Sequence, residues 1–224
     1  MKLSVNIYIT LSFLCYVTIL FSKLVEYETI TTYLIPFFVF LVFISAIVFN
    51  WPLVKKRWLL CLAFGFVCIG DFLLNLTTYG KYCVLAFCAT HICLIIYYLQ
   101  DNHFKKSDLN YLFLLFGFSA TLYLLINRAI AEVYLSVVFA VYLIVLSTML
   151  WRALCYIKSD NTLLRKVLII AGSSLFYITD ICVSSNELYH TKTLIILTWI
   201  CYPPALVMLS LINASKQIQS VQQG

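Results

Sequence analysis

Asp71, in CLAFGFVCIGDFLLNL, and Asp180, in VLIIAGSSLFYITDICV, are acids set inside otherwise apolar stretches. A carboxylate at membrane depth is costly and persists mainly where it faces a bundle interior or a wet cavity. The other seven acids, Glu26, Glu28, Asp101, Asp108, Glu132, Asp160 and Glu187, all fall in loops or at segment ends. Two carboxyls that share a site do not readily ionise together. One protonated and one ionised aspartate at neutral pH form an acid–base pair that needs no cofactor.

Helical periodicity supplies the neighbours. Asn75 lies one turn beyond Asp71, with Phe64 and Thr78 two turns to either side. Asp180 shares its face with Ser173, Phe176, Tyr177 and Ser184, and Thr179 directly precedes it. Aromatic and hydroxyl groups around both acids suit a lipid chain beside a polar head. His91, in FCATHICLIIYY, and Tyr202, before Pro203 and Pro204, are further polar groups at mid-segment. His91 reads equally as a packing residue and as a partner of the acids or a head-group contact. The two prolines break the backbone hydrogen bonding of the last segment, either as a simple kink or with freed carbonyls facing a cavity.

A metal would have only Asp71, Asp180 and His91 to hold it, since His103 and His190 fall in loops on opposite sides of the membrane. That set is thin, and neither a metal nor another cofactor is expected. The residues alone leave three roles open for the acids: acid–base chemistry, ion transport, and helix packing through hydrogen bonds.

The elements that must position these residues are membrane spans. A hydrophobic fraction of 63% with 11% charge and a mean hydropathy of +0.99 exclude an ordinary soluble domain. Crossing the hydrocarbon core takes roughly 20 apolar residues. Eight such windows can be drawn, at 4–22, 30–49, 58–76, 82–99, 109–126, 130–150, 165–183 and 193–212. Loops of a few residues join them, so the expected fold is all-α, one polytopic bundle of eight transmembrane helices over 1–224. Lys2 precedes an apolar run, yet Ser22-Lys23-Leu24-Val25-Glu26 is a poor cleavage region, so the first segment reads as a retained helix. The nine cysteines lie nearly all inside spans with no C-x-x-C, which suits small buried hydrophobes rather than disulfides.

Eight spans put both termini on one side. That side collects Lys2, Lys55, Lys56, Arg57, Lys105, Lys106, Arg152, Lys158, Arg165, Lys166 and Lys216, against Lys23, Lys81, Arg128 and Lys192 opposite. The bias predicts cytoplasmic termini, in the plasma (inner) membrane for a bacterial chain. The net charge of +6 is then a topological signal suited to an anionic lipid leaflet, and no nucleic-acid partner is expected.

The spans also divide into four plus four. Asp71 lies 14 residues after Arg57 and Asp180 lies 14 after Lys166, which sets both carboxyls about 21 Å above their basic anchors. The fourth and eighth segments correspond through mid-segment His91 and Tyr202. This hints at a parallel internal repeat of the kind transporters use. No G-x-S-x-G, H-E-x-x-H, P-loop or dinucleotide fingerprint occurs, and Ser173 and Ser174 have no His partner in the local sequence, against serine-hydrolase chemistry.

Four segments, in order, resemble the YhhN family, whose animal members are the lysoplasmalogenases. They are Gly70-Asp71-Phe72-Leu73-Leu74, Phe87 to His91, Gly172 through Thr179-Asp180, and the run beginning at Tyr202. The family usually has Ser at the position of Thr179, often Gly at Thr90, and usually Gln at Leu206. The resemblance implies hydrolysis of the vinyl ether of lysoplasmalogens, giving a fatty aldehyde and glycerophospho-ethanolamine or -choline. Such an ether needs an acid to protonate the alkene carbon, and a carboxylate to stabilise the cation and activate water. The expectation is therefore an intramembrane hydrolase of a lysophospholipid, with Asp71 and Asp180 as acid and base and Asn75, His91, Ser173, Tyr177, Thr179 and Tyr202 in support. A proton-coupled lipid or small-molecule transporter using the same acids, and a non-catalytic membrane interaction protein, are the competing readings.

Overall fold

The computed structural model describes residues 2–50, 57–78, 82–103, 105, 108–128, 130 and 132–214. Among these, eight α-helices follow in order: α1 (Lys2–Leu24), α2 (Glu28–Asn50), α3 (Arg57–Leu76), α4 (Cys83–Asp101), α5 (Leu109–Asn127), α6 (Val133–Leu154), α7 (Leu163–Tyr189) and α8 (Lys192–Ser210). A short 3-10 turn, Cys155–Lys158, follows α6. Each helix is long and apolar enough to cross a membrane. The all-α eight-helix polytopic architecture expected from hydropathy is the one observed.

Two helices outrun the ends of their apolar windows by four residues or more. α7 continues to Tyr189 and stops at His190, whose left-handed backbone (φ 46°) caps it. α6 continues to Leu154 and carries Arg152 into the interior, where it is fully buried. Hydropathy ends a span at the first charge, whereas a paired charge lets the helix go on.

Packed pairs run α1–α2, α2–α3, α3–α4, α4–α6, α6–α7, α7–α8 and α8–α1, which closes a ring. α2 also touches α8, and α5 packs against α6. Lipid offers helices no hydrophobic reason to associate, so close approach and hydrogen bonds must hold them. Both are present. A Cβ on Gly70 would lie 3.0 Å from Phe87 Cζ, and one on Gly172 would lie 2.9 Å from Leu209 Cγ. The two glycines thus set the contacts of α3 with α4 and of α7 with α8. Tyr8 and Ser210 hydroxyls meet at 2.8 Å, and Tyr98 and Ser173 hydroxyls at 2.8 Å.

The Tyr8–Ser210 contact joins the start of α1 to the end of α8. At the other end of these helices, the exposed Lys192 and Glu26 pair at 2.5 Å, and Lys192 holds the Glu26 carboxyl below the usual carboxylate range. α1 and α8 are therefore antiparallel, so the described chain begins and ends on one side, here called the terminal side. Of the basic residues behind the expected orientation, Lys55, Lys56, Lys81, Lys106 and Lys216 lie outside the described residues.

Two arginines in that charge pattern are not lipid-facing anchors. Arg165 is buried and donates to Asp101 Oδ2 at 2.7 Å, Tyr97 Oη at 2.8 Å and Asn213 Oδ1 at 3.0 Å. Arg152 is buried against Asp108, with Nη1 3.6 Å from Oδ2, and donates to the Asn102 carbonyl. Asp101 and Asp108 do sit at segment ends, as expected, but as buried counter-ions. Buried ion pairs of this kind fix geometry more than they add stability.

Candidate active site

One stripe of α3, Leu60, Ala63, Phe64, Val67, Gly70 and Asp71, is buried at three- and four-residue spacing. The matching stripe of α7 runs through Arg165, Ile169, Gly172, Ser173, Phe176 and Asp180. The helix period therefore carries both acids inward, where Asp71 is 3% and Asp180 7% exposed. α3 and α7 are not a closely packed pair. The two residues instead line one cavity of about 110 Å³ formed by side chains of α3, α4, α6, α7 and α8.

The cavity lies in the half of the bundle away from the terminal side. Cys83, the first residue of α4, lines it. Asp71 is five residues before the end of α3, about 7.5 Å along the axis. Its walls are mainly apolar, with Leu74, Val84, Phe87, Val183 and Trp199 beside Asn75, Thr179, Ser184 and Thr198.

Each acid is held from another helix. Tyr202 on α8 donates its hydroxyl to Asp71 Oδ2. On Asp180, Oδ2 receives Tyr142 Oη of α6 at 2.8 Å and stands 2.7 Å from His91 Nε2 of α4. His91 is fully buried, with its ring edge-on to Phe176 at 5.0 Å between centroids. Asn75 lines the cavity and donates Nδ2 to the Asp71 carbonyl at 2.9 Å. Thr179 also lines it, but its hydroxyl returns to the Leu175 carbonyl at 2.9 Å.

Two of the supporting residues expected from the sequence are drawn elsewhere. Ser173 meets Tyr98, and the Tyr177 hydroxyl meets Ser119 at 3.0 Å, on α5. Ser173 is seven residues from Asp180, about 10.5 Å down the helix, and the Tyr177 hydroxyl turns to α5, which contributes no residue to the cavity lining. A shared face is necessary for a shared site but does not set depth or reach.

The sequence pattern does not single out Tyr142. Its signal was a lone phenol in the aliphatic run AVYLIVL, since a hydroxyl at mid-membrane must find a partner. Trp199 was likewise hidden among the aromatic residues.

The two prolines do not interrupt α8, which runs unbroken through Pro203 and Pro204. They leave the Trp199 and Ile200 carbonyls without the amide one turn ahead. Leu206 is fully buried in the apolar core rather than on the cavity wall. Among the described residues, no group of three or more His, Cys, Asp and Glu side chains is arranged to hold a metal ion.

Comparison with protein-family profiles matches the YhhN family over residues 31–212. The chain belongs to the YhhN family. Comparisons with curated proteins and with solved structures give no match. In this YhhN chain all five cavity-forming helices lie inside the matched region. The four motif segments meet in space as well as in order. Gly70 seats Phe87, His91 reaches Asp180, and Tyr202 reaches Asp71.

Proposed function

We propose that this YhhN protein is an intramembrane hydrolase that cleaves the vinyl ether of lysoplasmalogens, with Asp71 and Asp180 as its catalytic acid–base pair. The observation that carries the reading is the pair itself. Two carboxyls from helices that do not pack closely line a single cavity, each held by a phenol from a third helix. Helix packing alone gives no reason to leave space between two such groups.

The substrate class comes from the family resemblance, and the cavity suits it. A lysolipid's ether sits just below its head group, and Asp71 sits about 7.5 Å inside the end of α3. Leu74, Val84, Phe87 and Val183 offer an apolar surface to the alkenyl chain, while Asn75, Thr198 and Ser184 offer hydrogen bonds to glycerol oxygens. The bilayer supplies the substrate, and no soluble partner is needed.

The test is aldehyde release from a panel of 1-alkenyl lysophospholipids by purified protein in detergent, with the double variant D71N/D180N as control. Hydrolysis without a sealed compartment or an ion gradient is expected, and its loss in the control. Failure to release aldehyde from any member, or turnover confined to sealed vesicles, overturns the reading in favour of transport.

A further inference from the structure

We infer that the two aspartates are not interchangeable: Asp71 holds the proton as the acid, and Asp180 is the carboxylate, kept so by His91 and Tyr142 as positioning residues. The inference rests on the hydrolase reading for its chemistry, but the protonation states stand on hydrogen-bond geometry alone.

Asp180 Oδ2 receives two groups at once. Tyr142 has one hydroxyl proton, which it donates to Oδ2 at 2.8 Å. His91 Nε2 stands 2.7 Å from the same oxygen and 3.2 Å from Tyr142 Oη. His91 Nδ1 is buried and has no hydrogen-bond partner among the described residues. A buried N–H without an acceptor is rarer than a bare acceptor nitrogen. The neutral tautomer with its proton on Nε2 satisfies this site, and it makes His91 a second donor to Oδ2. Each carboxyl keeps a second oxygen, so the difference lies in donor number: two donors to Asp180 favour its ionised form over that of Asp71, which has one. Asp180 lines the cavity.

Asp71 stands differently. Among the described residues Tyr202 is the side-chain donor to its carboxyl, through Oδ2. That bond is compatible with a neutral acid whose carbonyl oxygen accepts from Tyr202 and whose other oxygen carries the proton. With Asp180 charged in the same cavity, a neutral Asp71 avoids two adjacent carboxylates.

The reaction then balances. Asp71 gives its proton to the alkene carbon, forming a C–H bond and an oxocarbenium ion opposite the Asp180 carboxylate. Water adds to the carbon bearing oxygen while Asp180 takes the water proton, giving a hemiacetal. In its collapse, Asp180 returns that proton to the departing glycerol oxygen. Asp71 takes the hemiacetal hydroxyl proton as the C–O bond breaks and the aldehyde forms. Both acids end in their starting states, and no electron is gained or lost.

Infrared spectroscopy of the purified full-length protein tests the assignment without any substrate, so the result is independent of hydrolysis. The carbonyl stretch of a protonated carboxyl should be present in the wild type and lost in D71N. In Y202F that band should shift, and in Y142F it should stay in place. The carboxylate stretch assigned by its loss in D180N should move in Y142F and in H91N, which a purely packing role for those residues would not produce. Loss of the carbonyl band in D180N with retention in D71N reverses the roles. No protonated band in the wild type, or a band moved by Y142F and not by Y202F, also overturns the inference. Gel filtration of each variant restricts the comparison to folded protein, and Y142F and Y202F remove a single oxygen each.

Discussion

The ring of Phe87 occupies the space that a side chain on Gly70 would need, 3.0 Å from an added Cβ to Cζ. Gly70 precedes Asp71, and Phe87 lines the cavity. The contact therefore sets helix spacing and the shape of the site together.

Gly70→Ala should push the Phe87 ring into the cavity and lower turnover without preventing folding. A loss of about tenfold corresponds to roughly 1.4 kcal/mol. The second change Phe87→Leu should restore part of it. Gly172→Ala should act differently, because the added Cβ meets Leu209 Cγ at 2.9 Å and Met208 Cβ at 3.2 Å, neither a free chain end. Overpacking there should cost about 1–3 kcal/mol of stability, read as a lower melting temperature in detergent. A glycine pair with equal effects on both readouts would contradict this division.

Arg165 offers a separate test of stability against activity. Arg165→Met removes the charge facing Asp101 and the donor to Tyr97. Breaking a buried ion pair on one side costs about 3–5 kcal/mol, so the melting temperature should fall clearly. Adding Asp101→Leu should recover much of the loss, since an apolar pair can replace a buried ionic one. Arg165 is fifteen residues before Asp180 on α7, about 22 Å along the helix. KM of the folded variant should therefore stay within about threefold of wild type, whereas a large KM change would place this cluster in the substrate path.

Hydropathy made the eight helices legible, because a membrane span must be a run of apolar residues and nothing else in this chain competes with that signal. Asp71, Asp180, His91 and Tyr202 stood out for the same reason, as polar groups where lipid forbids them. What periodicity could not carry was depth and partner choice. Ser173 and Tyr177 share a face with Asp180, yet their hydroxyls go to Tyr98 and Ser119. Tyr142 comes from α6, where no sequence pattern tied it to either acid. Nor could composition tell that Arg152 and Arg165 are buried and paired, because a basic residue at a helix end reads the same whether it snorkels or folds inward.

The orientation that the basic residues predict is open to direct measurement. Reporter fusions at Lys158 should map to the cytoplasm and at Lys192 to the opposite side. The antiparallel pairing of α1 with α8 fixes both ends of the described chain to one face, so an N-terminal fusion must agree with Lys158. A fusion at Lys158 found outside the cytoplasm would invert the whole assignment and place the cavity in the cytoplasmic half.

The acid–base pair itself gives the sharpest expectation. Asp71→Asn and Asp180→Asn keep size and hydrogen bonding, so both variants should fold and elute as the wild type does. Each should lose most turnover, because a positioned general acid or base contributes about 10² to 10⁴ in rate. The double variant should be little worse than the worse single one, since residues that act as a unit do not contribute additively. His91→Ala should cost less than either, for Tyr142 still donates to Asp180 when the imidazole is gone. Tyr202→Phe should likewise leave measurable activity, as Asp71 keeps its carboxyl. Steady-state rates of aldehyde release in detergent check the series. If both asparagine variants fold and hydrolyse at near wild-type rates, the carboxyls hold helices together and the acid–base reading is lost.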